Sequence, residues 1–117
     1  MKVLLVNGSP HKEGCTYTAL QEVEKELNAE GVETEIIWLG VKPISGCLGC
    51  GQCCRRGPNG EPASLRCVID DAVNEFLDKA EKADGFVFGS PVHYAALSGA
   101  LTSFMDRAFY GKGKIFR

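Results

Sequence analysis

The apolar positions of this chain change period several times, and each change predicts an element. Residues 2–6, "KVLLV", form a short run, apolar after Lys2 and closed by Asn7-Gly8, which predicts a buried strand. From residue 15 the spacing turns helical. Leu20, Val23 and Leu27 fall on one face and Glu22, Glu24, Lys25 and Glu26 on the wet side, with Gly31 as the stop, so a helix is expected over 15–29. Residues 33–39, "ETEIIWL", predict a second strand. Residues 40–69 have little periodicity and much Gly, Pro and Cys, and a loop of that length in a small domain is usually functional. Asp70 and Asp71 then open a second helix at its positive end, with Val73, Phe76, Leu77 and Ala80 along one face. "GFVFG" at 85–89 predicts a third strand and "SPVHYAALSG" a turn. A third helix is expected over 98–109, with Leu101, Phe104, Met105 and Ala108 inward.

The order β-α-β-loop-α-β-loop-α specifies a parallel sheet with helices on both faces. The fold class is therefore α/β, a doubly wound parallel sheet in three αβα layers, built as one domain over residues 1–117. The closing "GKGKIFR" stands where another strand is due, so about three strands are present where such sheets carry more. An exposed edge on strand 3 is expected to be covered, which predicts a homodimer or larger assembly.

Composition narrows the partners. A chain of 117 residues that is 44% hydrophobic and 24% charged buries one core and keeps a polar surface. A net charge of −2 gives no field for nucleic acid or a membrane surface. The first apolar run, "VLLV", is too short for a signal-peptide core or a membrane span, so a cytoplasmic protein is expected. Six cysteines change the picture more. Cys47, Cys50, Cys53 and Cys54 lie within eight residues, Cys67 follows, and Cys15 stands apart. Clustering of this kind in a cytosolic chain points to metal or redox chemistry rather than a disulfide scaffold.

Two loops carry candidate binding chemistry. Residues 8–18 leave strand 1 and enter helix 1, where free backbone N–H groups and the helix dipole favour a phosphate. Ser9, Thr16 and Thr18 add hydroxyls, Lys12 adds charge, and His11 does so when protonated. The dinucleotide pattern G-x-G-x-x-G and the lysine-bearing triphosphate loop are both absent, so a terminal monophosphate fits best. The competing reading is a plain capped strand–helix turn. The second loop follows strand 3 and should lie beside the first. There Pro91 stiffens the turn, and Val92, His93, Tyr94 and Ala95 offer apolar and aromatic surface beside backbone N–H groups. That suits a flat, partly polar ring, or else an aromatic-rich turn with no ligand.

Taken together, "GSPHKEGCTYTAL", "CLGCGQC" and "CVIDDAVNEFLDKAEKADGFVFGSPVHYAALSGALTSFMDR" resemble the NADPH-dependent FMN reductases and, within them, the iron–sulfur flavoproteins. The resemblance covers nearly the whole chain and implies a flavodoxin-like fold. It implies that Ser9, His11, Thr16, Tyr17 and Thr18 hold the FMN phosphate, and that Pro91, Val92, His93, Tyr94 and Ala95 border the isoalloxazine. His11 stands where relatives often have Arg, and neutral His carries no fixed charge. The Asp106-Arg107 pair near the end of helix 3 reads as structural. Relatives continue through two more strands.

Cys47-x2-Cys50-x2-Cys53 sets three thiols on a tight backbone, as an iron–sulfur cluster (4Fe–4S) needs, with Cys67 as the fourth ligand fourteen positions on and Cys54, adjacent to Cys53, less suited to reach the same cluster. The resemblance implies a closer fourth cysteine, so this gap is a departure. Three readings stand: a cluster, thiols without metal, and tetrahedral zinc on the same sulfurs. Arg55 and Arg56 beside the run would raise a cluster's potential, bind an acidic partner, or simply be solvated. Cys15, at a helix start, is either a reactive thiol or a small residue in a tight turn.

The resemblance implies an FMN-dependent NAD(P)H oxidoreductase of the flavin, quinone or nitro-compound reductase type. Hydride would arrive from NAD(P)H, and electrons would leave to a small-molecule acceptor or a redox protein. His93 and Tyr94 are the side chains nominated as proton donors. The rival from another class is a non-enzymatic flavin and iron–sulfur electron carrier. A third reading is a zinc-stabilised interaction module on the same scaffold.

Overall fold

The structure is a computed structural model that describes residues 1–64 and 66–112. Its elements run β1 (Lys2–Asn7), α1 (Cys15–Ala29), β2 (Glu33–Trp38), α2 (Ala72–Ala80), β3 (Gly85–Gly89), β4 (Val92–His93), β5 (Ala96–Leu97) and α3 (Gly99–Lys112). The three expected strands and three expected helices form, with ends shifted by up to three residues. The expectations for 113–117 lie outside the described residues.

β1 is the middle of a parallel sheet ordered β2-β1-β3. Its register sets Leu4 beside Glu35 and Phe86, and Val6 beside Ile37 and Phe88. Alternation along β1 divides the interior, since successive side chains point to opposite faces. Leu4 and Val6 join Val73, Phe76, Leu77 and Ala80 of α2 with Leu101, Phe104 and Ala108 of α3 in one buried cluster. The rings of Phe76 and Phe104 meet edge to face at 4.8 Å between centroids. Leu5 faces the other way, and α1 covers that side with Leu20. The chain therefore has helices on both faces, as the alternation predicted.

Two expectations fail. Val23, read as core-facing, is 39% exposed, while Leu20 is buried and Leu27 half-buried. One helix on a three-stranded sheet needs only a narrow apolar stripe. The stretch read as a turn after strand 3 is a two-stranded antiparallel hairpin, with Val92 opposite Leu97 and His93 opposite Ala96. Tyr94 and Ala95 at its tip have φ of 47° and 60°. Two successive left-handed residues make a type I′ turn, normally the work of Asn and Gly, so the usual hairpin signal is missing. A short 3₁₀ turn, Gln52–Cys54, also interrupts the long loop.

Candidate functional site

Crossing from β2 over β1 to β3 moves the chain from one side of the sheet to the other, so the loops leaving β1 and β3 diverge at a switch point. Both open on one cleft of about 400 Å³, lined by Gly8 and Pro10 from the first loop, Val41 and Ile44 after β2, and His93 and Ser98 after β3.

The first loop is held from inside. Asn7, fully buried, accepts the Ser9 N–H at 3.0 Å on Oδ1 and donates from Nδ2 to the Lys12 carbonyl at 3.2 Å. The Trp38 indole N–H donates to the Ser9 carbonyl at 2.8 Å, and the Lys12 ammonium lies 5.8 Å from that ring's centroid. The Ser9 hydroxyl accepts the His11 backbone N–H, and the Thr18 hydroxyl donates to the Gly14 carbonyl. Of the residues expected at a phosphate, Ser9 and Thr18 thus already have intrachain partners and His11 is exposed, while Thr16 and Tyr17 are half-buried in the first turn of α1. Gly14 at the N-cap supplies no side-chain cap to that turn. Its leading N–H groups are the donors an anion would take.

The two loops are stitched together by small residues. Gly8 N–H donates to the Gly89 carbonyl at 2.9 Å, and a Cβ on Gly8 would meet Leu101 Cβ at 2.7 Å. Ser98, 2% exposed, donates from its hydroxyl to the Gly8 carbonyl at 2.7 Å and accepts the Leu101 N–H at 3.3 Å. Its own N–H donates to the Ser90 hydroxyl at 2.8 Å. Asn7, Ser90 and Ser98 are residues that reading the sequence missed. The available signal was Ser98, a Ser one position before a helical run, which is an N-cap pattern. Of the five residues expected beside a ring, His93 lines the cleft and Pro91 is half-buried. Val92, Tyr94 and Ala95 stand on the exposed hairpin.

The cysteines gather elsewhere. Cys47, Cys50, Cys53 and Cys67 line a second cavity with Arg107 and Tyr110, and Cys54 does not; Cys47, Cys50 and Cys54 are exposed, Cys67 is half-buried and Cys53 is buried. Gly49 and Gly51, at φ of 67° and 72°, turn the backbone between the first three. The Gly49 N–H donates to Cys47 Sγ at 3.3 Å. Burial, then the hydrogen bond with Cys54, pushes the Cys53 thiol up to about 11. Four thiols on one cavity are the donor chemistry of an iron–sulfur or zinc site. As it stands the cavity is only about 20 Å³, and among the described residues no three His, Cys, Asp or Glu side chains are grouped to hold a metal ion. The donor set is that of a cluster, and a cavity of this size would have to open to admit one.

Arg107 ties this cavity to the core. Its side chain is fully buried and forks onto Asp71, with both nitrogen–oxygen distances at 2.7 Å. Burial alone would push the Asp71 carboxyl up, but the Arg107 fork and the Val73 N–H overcome it and hold that carboxyl below its ordinary range. The same fork raises the guanidinium's own value against the effect of burial. The structural reading of Arg107 agrees with this geometry.

A three-layer sheet whose cleft sits at the β1/β3 switch point is the flavodoxin-like arrangement. A crystal structure of Smu.1420 from Streptococcus mutans shares it, with a TM-score of 0.63 over 93% of this chain and 53% of that one, at 21% identity. The chain belongs to the NADPH-dependent FMN reductase family, which it matches over residues 1–117. It is 39% identical over 108 residues to an iron–sulfur flavoprotein of Methanocaldococcus jannaschii, covering 92% of this chain and 52% of that protein. An iron–sulfur flavoprotein of Archaeoglobus fulgidus is 33% identical over 107 residues, covering 92% and 45%. The chain spans about half the length of these curated relatives. Among the described residues no helix is long and apolar enough to cross a membrane.

Proposed function

We propose that the chain forms the FMN-binding part of an NAD(P)H-dependent oxidoreductase, with the flavin phosphate at the start of α1 and the ring in the cleft between the β1 and β3 loops. The observation that carries this reading is the convergence of those loops on one cleft, together with a neighbouring cavity lined by Pro10, His11, Lys12, Gly14 and Trp38 at the start of α1, which has no side-chain cap. FMN, when bound, supplies hydride and single-electron chemistry. The protein's part is to hold and shape. The Cys15, Thr16 and Tyr17 N–H groups meet the phosphate with the positive end of α1, Lys12 adds charge from the rim, and Asn7, Trp38 and Ser98 keep the loops from collapsing into the space. His93 and Lys42 are the ionisable side chains on the cleft wall, and His93 is the one nominated to carry a proton there.

Cys47, Cys50, Cys53 and Cys67 would hold an iron–sulfur cluster, which supplies one-electron transfer. Their common cavity and the names of the relatives support this part of the reading. The electron acceptor is a small molecule or a redox protein.

The test is an anaerobic visible spectrum of the purified chain, before and after adding FMN and desalting, followed by NADPH and a dye. A retained two-band flavin spectrum at one equivalent, with dye reduction, is the expected result. Flavin that is retained and reducible but gives no turnover converts the reading to an electron carrier. A colourless chain after desalting removes the reading that these two loops alone hold FMN.

A further inference from the structure

Five cysteines lie between residues 47 and 67, yet only four line the second cavity. The one excluded, Cys54, is adjacent to Cys53, and the one included, Cys67, is fourteen positions away. Adjacency to Cys53 disfavours Cys54, and the contacts of Cys67 show what brings a sulfur from fourteen positions away.

Cys67 is held at three points. Its N–H donates to Asn74 Oδ1 at 2.9 Å, and its carbonyl accepts from Asn74 Nδ2 at 2.8 Å. Its sulfur accepts from Arg107 Nε at 3.3 Å. Both partners are frame residues. Asn74 is 2% exposed on α2, and the Arg107 side chain is fully buried on α3. Arg107 also reaches across the cysteine segment. Nη2 donates to the Ile69 carbonyl at 2.8 Å and Nη1 to the Ser45 carbonyl at 3.4 Å, so a single guanidinium pins the chain on both sides of residues 47–67. Asp71 aims the guanidinium by taking both terminal nitrogens, leaving Nε for the sulfur. A lysine has the charge but neither the fork nor a separate Nε. Among the described residues Cys54 is held only within its own loop: its N–H donates to the Gly51 carbonyl at 3.2 Å, and its sulfur lies 3.8 Å from that of Cys53.

We propose that Arg107 and Asn74 are positioning residues that select Cys67, and not Cys54, as the fourth sulfur of the site. The inference rests on the metal reading of the cysteine cavity given above. The long gap between the third and fourth cysteines is then workable because the fourth is delivered by α2 and α3 instead of by its own loop.

Cobalt(II) added anaerobically to the reduced, metal-free full chain tests this, because thiolate-to-cobalt charge-transfer bands report the number of sulfurs bound. Cys54→Ser is expected to keep the wild-type spectrum and Cys67→Ser to lose one sulfur's share of it. Arg107→Lys and Asn74→Ser should each weaken cobalt binding at least about tenfold and lose the same share, as removal of a metal ligand's supporting partner does. The two variants break separate contacts, so one that fails to fold by circular dichroism leaves the other as the test. Wild-type affinity and spectrum in a folded Arg107→Lys or Asn74→Ser overturn the selection, as does loss of the band in Cys54→Ser with retention in Cys67→Ser. Absence of the bands in the wild type overturns the metal reading and this assignment with it. Retention of FMN, read separately, bears only on the flavin site.

Discussion

Asp71 does two things with one carboxylate. Its Oδ1 accepts the Val73 N–H at 3.1 Å, capping α2, and both its oxygens meet the Arg107 guanidinium. The sign of its pH effect follows from its lowered value in the fold. A carboxyl held below its ordinary value of about 4 stabilises fully above that value, and loses the contribution as pH falls through the folded one. Asp71→Asn leaves a buried guanidinium without its anion and should cost about 3 kcal/mol at pH 7, the low end for a broken buried pair because the Asp71 side chain is 27% exposed. Urea unfolding between pH 7 and pH 2 checks it. Stability of the variant should fall less steeply in acid, and an acid limb as steep as the wild type's would refute the account. The sequence marked Asp71 as a helix opener and Arg107 as structural. It did not pair them, because 36 residues separate them and only the packing of α2 on α3 brings them together.

At the level of elements, the site depends on how α3 is started. Ser98 caps α3, and its hydroxyl also satisfies the buried Gly8 carbonyl on β1's exit. Ser98→Ala removes the cap, worth about 1 kcal/mol, and strands that carbonyl, worth about 1–3 kcal/mol more. The expected loss is about 2–4 kcal/mol in urea unfolding. FMN retention should fall as well, since the same bond ties the two cleft loops together. A variant that loses stability but binds FMN with unchanged affinity would separate the clamp from the flavin site. The elements themselves were legible because α2 carries a strong apolar stripe and β1 is a short continuous apolar run closed by Asn7-Gly8. The hairpin was not. Its strands are two residues each, and its tip puts Tyr94 and Ala95 in a backbone region that gives no signal in a sequence without Gly or Asn there. Strain of that kind persists where the surroundings enforce it, and here it sits beside the cleft.

On the scale of the whole molecule, the radius of gyration of 15.1 Å exceeds the roughly 13 Å of a compact domain this long. The hairpin carries Val92, Tyr94 and Leu97 at 80%, 104% and 48% exposure, and β3 pairs with β1 on one side only among the described residues. An open strand edge beside an apolar hairpin is a surface that natural proteins cover. We expect this chain, purified alone, to associate with itself, and sedimentation equilibrium at tens of micromolar should give a dimer or larger species. Tyr94→Asp distinguishes the two surfaces. It places a charge at the hairpin tip and leaves the pairing groups of β3 untouched. Dissociation to monomer would locate the contact on the hairpin, whereas an unchanged dimer would locate it on the β3 edge. A wild-type monomer across the concentration range would rule out both, and the exposed hairpin would then be held in its strained form for the ligand cleft alone.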